Sequence, residues 1–321
     1  MSRIIGALSA GILALSLGGL AAPEIASAEF PEQPITYVIS FDPGGESDVT
    51  ARFQEPHLEE KLGVDVVVTH RPGGGGAVAW SEFQRNAQPD GYTIIGINIP
   101  HIVAQPIQRA DAGYDTFDWE IITWFHFTPN ALIVRNDSPF KTLQDLIEFA
   151  KKNPQVVTVG GSGTFSANHL EMLRLEKAAD IDLTYIPFTG TGPLPAAVLG
   201  GHVSALMNYT MLGVQMSDEV RVLAVASEER VPTLPDAPTF RELGYDIVGG
   251  AYRGVAAPKG TPKEIVDKLA QVLGEVNELI REKQEPLGFV MTHVTGQDAT
   301  KLVDQMRQAY GDVLKAEGKD N

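Results

Sequence analysis

No cysteine occurs among the 321 residues. That excludes a disulfide framework, a thiolate nucleophile, cysteine-ligated zinc and a lipid-modified cysteine anchor. Positive charge is scarce too: 25 Lys and Arg stand against 41 Asp and Glu, for a formal net charge of −16. The long-range field of so acidic a chain argues against nucleic acid or anionic membrane as a partner. Internal repeats and low-complexity tracts are missing. The sequence contains no His-Glu-x-x-His pair, and no Walker lysine follows its glycine-rich turns, so no metal and no cofactor is expected.

What is present begins with a leader. Arg3 precedes a mostly apolar stretch from Ile4 to Ala22, and Ala26-Ser27-Ala28 then stands before Glu29. This is the pattern of a secretory signal peptide, residues 1–28, cleaved after Ala28. Cleavage removes one cation, Arg3, and one anion, Glu24, so the mature chain keeps its charge. The expected product is free and soluble in a Gram-negative periplasm.

Along the mature chain, strand-like runs alternate with helix-like ones, which predicts an α/β protein with mainly parallel sheets. The strands expected are Ile35 to Phe41, Val64 to His70, Tyr92 to Asn98, Ala131 to Arg135, Val156 to Gly160, Leu183 to Pro187, Val203 to Tyr209 and Val220 to Ala226. Helices are expected over Asp48 to Leu62, where Pro56 would bend the axis, over Leu143 to Lys152 behind a Thr142-x-x-Asp145 capping box, and over Pro262 to Gln284 and Asp298 to Lys315.

Four glycine-rich turns punctuate this alternation. Phe41-Asp-Pro-Gly-Gly-Glu-Ser-Asp48 joins a strand to a helix. Its glycines accept positive φ, and its free amides at a helix N-terminus suit an anion. Arg71-Pro-Gly-Gly-Gly-Gly76, Gly160-Gly-Ser-Gly-Thr-Phe-Ser-Ala-Asn-His169 and Phe188-Thr-Gly-Thr-Gly-Pro193 also follow strands. In α/β sheets, ligands bind at the carboxyl ends of strands, where such turns gather.

These motifs, with Pro89-Asp-Gly-Tyr-Thr93, Leu199-Gly-Gly-His-Val203, Leu234-Pro-Asp-Ala-Pro-Thr239 and Ala257-Pro-x-Gly-Thr-Pro262, resemble the Bug-type (TctC-like) extracytoplasmic solute receptors, the substrate-binding subunits of tripartite tricarboxylate transporters. The resemblance covers essentially the whole mature chain. It implies a two-lobed periplasmic binding protein of type II-like fold, each lobe a mainly parallel sheet flanked by helices. It further implies a monomer that closes on a small carboxylate and passes it to membrane permease subunits. Lobe one is expected over residues 29–130 plus 252–321 and lobe two over 131–251, with hinge strands near Ala131 to Arg135 and Val248 to Ala256.

Carried onto these positions, the resemblance places a first cradle at Gly44, Gly45, Ser47 and Asp48, with Phe41 as an apolar wall. An ionised Asp48 would cap amides or orient Ser47 rather than touch a carboxylate. Thr164, Ser166 and His169 match a second cradle, and Thr189, Gly190 and Thr191 a third. Plainer roles stand beside these: Ser166 is also an ordinary helix N-cap, and His169 a residue that bonds the turn beneath it. Two positions depart from the family pattern. Asn208 stands where an aspartate is common, and Arg253 follows Tyr252 in the hinge segment. Both suit a second carboxylate on the ligand, as does His101 at a strand end, so a dicarboxylate, aliphatic or aromatic, is expected. The plainer reading of Arg253 is an ion pair with one of the many acidic residues.

An enzyme is a poor match. Gly160-Gly-Ser162-Gly-Thr164 falls one residue short of a nucleophile elbow, and Pro195 stands where a dinucleotide fingerprint needs its third glycine. A carboxylate receptor that feeds a signalling partner fits the same residues as a transport receptor.

Overall fold

The computed structural model describes residues 30–109 and 112–317; the expected leader lies outside the described residues. Ten strands form one mixed sheet in the order β2-β1-β3-β9-β4-β7-β5-β6, with β8 and β10 also paired to β4. They are β1 (Ile35–Ile39), β2 (Val66–His70), β3 (Thr93–Ile99), β4 (Trp119–Arg135), β5 (Thr158–Gly161), β6 (Thr184–Pro187), β7 (Ala205–Tyr209), β8 (Val220–Val225), β9 (Gly250–Pro258) and β10 (Val290–Val294). The helices that position the cleft are α1 (Glu46–Leu62), α2 (Ala77–Asn86), α3 (His101–Gln108), α4 (Leu143–Lys152), α5 (Ala167–Ala179), α6 (Leu194–Leu199), α7 (Thr210–Gln215), α8 (Lys263–Gln284) and α9 (Gly296–Glu317).

Parallel ladders lie outboard, β2-β1-β3 at one end and β7-β5-β6 at the other. The centre is antiparallel, because β4 and β9 run against each other between them. The 17-residue β4 serves both halves. Trp119 to Pro129 pair with β9, and Asn130 to Ile133 pair with β7. Pro129 sits where the partner changes, a place where a missing N–H interrupts the ladder least. Beside it, Asn130 N donates to Gly249 O, Gly249 N to Ala226 O, and Ala226 N to Asn130 O, each within 2.8–3.0 Å. Two strands therefore cross between the halves at one level.

Each half has its own apolar core. Trp80, Phe83, Ile95, Ile97, Trp119 and Trp124 fill the first. In the second, alternate residues of β4 serve opposite faces of the sheet: Leu132 and Val134 pack with Leu146, Val159, Leu175, Met207 and Phe240. Ala131 and Ile133 pack with Leu194, Val198 and Leu206. A fully buried side chain of this kind stabilises by about 1.5–3 kcal/mol.

Local signals set several helix ends. Asp145 N donates to Thr142 Oγ1 at 3.1 Å, and Thr142 N donates back to Asp145 Oδ2 at 2.9 Å, which closes the capping box of α4. Its buried face is Leu143, Leu146, Ile147 and Ala150, spaced as a helix face requires. Helix α1 runs through Pro56, and α9 begins two residues before its expected start.

Candidate functional site

The carboxyl ends of β1, β3, β5, β6 and β7 point into one cleft between the halves. From the first half, β1 leaves through the Pro-Gly-Gly turn into α1. Gly44 has φ 75°, which a side chain rarely tolerates, and Gly45 is the N-cap with no side chain to offer. Asp48, one turn on, ties the turn to the helix: its Oδ2 accepts Gly44 N at 2.8 Å. Its Oδ1 meets His70 Nε2 at 2.8 Å. Acidic side chains in this first turn, Glu46 and Asp48, also suit the positive end of the helix dipole.

From the second half, the turn after β5 is tied together internally. Ser162 Oγ donates to Asn168 Oδ1 at 2.6 Å, and Asn168 Nδ2 to Asn130 Oδ1 at 2.9 Å. The turn after β6 reaches across the cleft. Thr191 Oγ1 accepts Glu46 N at 3.0 Å, and Thr189 Oγ1 donates to Asp42 Oδ2. The approach is close enough to need glycine: a Cβ on Gly190 would lie 2.9 Å from Asp42 N, and one on Gly45 would lie 2.9 Å from Thr191 Oγ1. The two turns are therefore in direct contact across the cleft.

Where the halves meet, Phe41, Glu46, Ser47, Asn98, His101, Ser162, Thr191, Tyr209 and Arg253 enclose a cavity of about 10 Å³. That is room for roughly one water. Small-molecule sites run to about 300 Å³ or more, far above this volume.

A buried ion pair dominates this cavity. Arg253 on β9 is 3% exposed and pairs through Nη2 with the carboxylate of Glu46, which is 1% exposed. Arg253 Nη1 donates to Thr128 Oγ1 at 3.2 Å, and its guanidinium lies 4.5 Å from the Tyr209 ring centroid. Burial raises the Glu46 pKa, while Arg253 and Thr128 pull it down. Burial, assisted by Arg253, pushes His101 down to about 3 and so keeps it neutral. Burial pushes Tyr209 up to about 12, also neutral. Among the described residues, the buried wall atoms with no hydrogen-bond partner include His101 Nδ1, Arg253 Nε, Tyr209 Oη and, apart from the ion pair, the carboxylate oxygens of Glu46.

Of the residues expected from sequence, Phe41, Ser47, His101, Thr191 and Arg253 line the cavity. Gly44, Gly45, Thr189 and Gly190 form the seam around it rather than its wall. The remainder are engaged elsewhere. Ser166 is fully buried and caps α5, accepting His169 N at 3.3 Å. His169 Nδ1 accepts Phe165 N at 3.1 Å, which is its turn-bonding role. Asn208 turns its Oδ1 to Tyr209 N at 2.8 Å, and its side chain does not reach the cavity wall. Thr164 and Asp48 are likewise outside the wall, Asp48 being committed to Gly44 and His70.

Four wall residues were not expected: Glu46, Asn98, Ser162 and Tyr209. Glu46 carried a signal, since an acid immediately after an anion-binding turn is incongruous. Asn98 and Tyr209 needed the register, in which Asn98 pairs with Arg253 across β3 and β9.

Comparison with known proteins agrees with this architecture. A curated relative from Cupriavidus necator, described as a UPF0065 protein in the gbd 5' region, is 34% identical over 293 residues, covering 88% of this chain and 87% of its own. The solved structure of the periplasmic binding protein BugD is 32% identical with a TM-score of 0.85, covering 90% of this chain and 99% of its own. An R. palustris structure with adipate is 27% identical with a TM-score of 0.84, at 90% and 99% coverage. The family model described as the tripartite tricarboxylate transporter family receptor matches residues 50–318. The two-lobed α/β chain described above belongs to that receptor family.

Proposed function

We propose that this protein is a periplasmic solute receptor that captures a small organic carboxylate by closing its two lobes, then delivers it to the permease of a tripartite transporter. The lobes are residues 29–130 with 252–321, and residues 131–251. The observation that carries this reading is the cavity itself. Both halves contribute walls to it, it sits at the carboxyl ends of the strands, and its one cation is a buried arginine.

Capture proceeds in the open form, where the amides of α1 that follow Glu46 N, the one Thr191 caps on closure, meet a carboxylate. Hydroxyls of Ser47 and Thr191 add donors that carry no charge into the empty site. Closure then removes water and strengthens each of these bonds. A far carboxylate, as on the adipate of the R. palustris relative, would be met by Arg253 in the bidentate geometry that guanidinium favours. The ligand is therefore read as a dicarboxylate.

Calorimetric titration of the purified mature protein against succinate, malate, adipate, citrate, terephthalate and nicotinate tests this. Micromolar or tighter binding of at least one carboxylate, with a smaller radius of gyration in solution, is the expected result. Failure to bind any of these or their amino-substituted analogues would overturn the receptor reading, and binding of nicotinate alone would overturn the dicarboxylate.

A further inference from the structure

The carboxylate of Glu46 is misplaced for a site that takes anions only. It lies in the wall of the cavity, and Arg253, the single cation there, is already bound to it. The other titratable wall residues, His101 and Tyr209, are neutral, so the wall is neutral as a whole. A plain dicarboxylate would bring two negative charges into this enclosure. To reach it, Arg253 would have to leave Glu46, stranding a buried carboxylate without a partner.

A purely structural pair would be expected to have its remaining polar atoms satisfied. Here Arg253 Nε is buried without a partner, and so is His101 Nδ1 on the same cavity wall. Both residues line the cavity together with Asn98, Ser162 and Tyr209, which are hydrogen-bonding groups of no net charge. The arrangement resembles a salt bridge waiting to be split by a molecule that carries both signs. Such a molecule gives Arg253 a carboxylate and gives Glu46 a cation, so neither buried charge is left alone and the enclosure stays neutral.

We propose that the ligand is a small carboxylate that also carries a protonated amine, and that Glu46 is the residue that selects the amine. The proposal rests on the receptor reading and narrows its ligand: a dicarboxylate remains admissible when it is amino-substituted. Closure replaces the Glu46–Arg253 contact by two contacts through the ligand, and Thr128 and the Tyr209 face hold the guanidinium in place while this happens.

Matched pairs that differ by one amino group test this on the native protein, without any variant. Calorimetric titration compares succinate with aspartate, glutarate with glutamate, and adipate with 2-aminoadipate. In at least one pair the amino member should bind about tenfold more tightly or better, the value of one hydrogen bond to a charged group. In Glu46→Gln, whose folding is checked by circular dichroism, that ratio should fall toward one. The proposal is overturned if the unsubstituted member binds as well or better in every pair. It is also overturned if the ratio is unchanged in a folded Glu46→Gln. Tight succinate binding with uptake of one proton, read from the buffer dependence of the enthalpy, would make Glu46 a protonated donor and overturn the proposal while leaving the receptor reading intact. Failure of all six, together with the panel above, would overturn both.

Discussion

Thr191, on the turn after β6, accepts the backbone N–H of Glu46 at 3.0 Å from the opposite side of the cleft. A side chain of one half thus caps the first helix of the other, whose own N-cap, Gly45, has no side chain to do so. Closure and helix capping are the same event. Thr191→Val should therefore weaken ligand binding about fivefold, the worth of one hydrogen bond of roughly 1 kcal/mol lost from the closed form only. Calorimetry should register the change, with thermal stability of the unliganded protein little altered.

Gly190 provides a steric test of the same seam. A Cβ there would lie 2.9 Å from Asp42 N and 3.1 Å from Phe41 Cβ. Gly190→Ala should hold the cleft partly open, with at least a tenfold loss of affinity and a larger radius of gyration by small-angle scattering at saturating ligand. An unchanged scattering profile would show that the seam adapts.

Removing one partner of the buried ion pair leaves the other stranded. Arg253→Met should cost about 3 kcal/mol or more in chemical denaturation, because Glu46 stays buried without its cation. Adding Glu46→Gln to it should restore most of that loss. Equal instability of the single and double variants would show that packing around Arg253, and not the charge, is what matters.

His101 makes folding sensitive to acid. Its folded pKa, about 3, lies below the ordinary histidine value near 6.5, so the unfolded chain binds its proton first. Stability held at neutral pH is lost as the pH falls below about 6.5, amounting to about 2 kcal/mol by pH 5 from this residue. Glu46 and Glu171, whose pKa values are raised by burial, act in the opposite sense. They become less penalised as the pH falls. The comparison of wild type with His101→Gln isolates the histidine: the variant should lose about 1.4 kcal/mol per pH unit less between pH 6.5 and 5.

Ser47 and Ser166 should behave differently although both sit on cleft turns. Ser47→Ala removes a cavity hydroxyl and should weaken binding, whereas Ser166→Ala removes the cap of α5 and should cost about 1 kcal/mol of stability. If Ser166→Ala cuts affinity as deeply as Ser47→Ala, the site extends further into the turn after β5 than its cavity wall indicates.

What the sequence made legible was local. The Pro-Gly-Gly turn, the Thr142–Asp145 box and the pattern of α8 each declare themselves within a few residues. The long β4 did not: its stretch from Trp119 to Phe127 carries polar Glu120, Thr123 and His126 at a spacing of three, not two, and Pro129 argues against a central strand until the change of partner is known. The Glu46–Arg253 pair was hidden for a different reason. Each residue is ordinary in its own segment, and only the folded chain joins positions so far apart in the sequence. The same holds for Ser166 and His169, whose local caps were readable while their distance from the cavity was not.

The two strand crossings at Asn130 and Gly249 carry a mechanical consequence. With both at one level, the halves share a single axle, and a bend there moves every turn on the cleft rim together. Thr191, Thr189 and Gly190 cannot engage the first half one at a time without twisting that axle. Under the proposed function the protein is latched or unlatched as a whole, and a permease would read a loaded molecule from its outer contour without touching the solute inside.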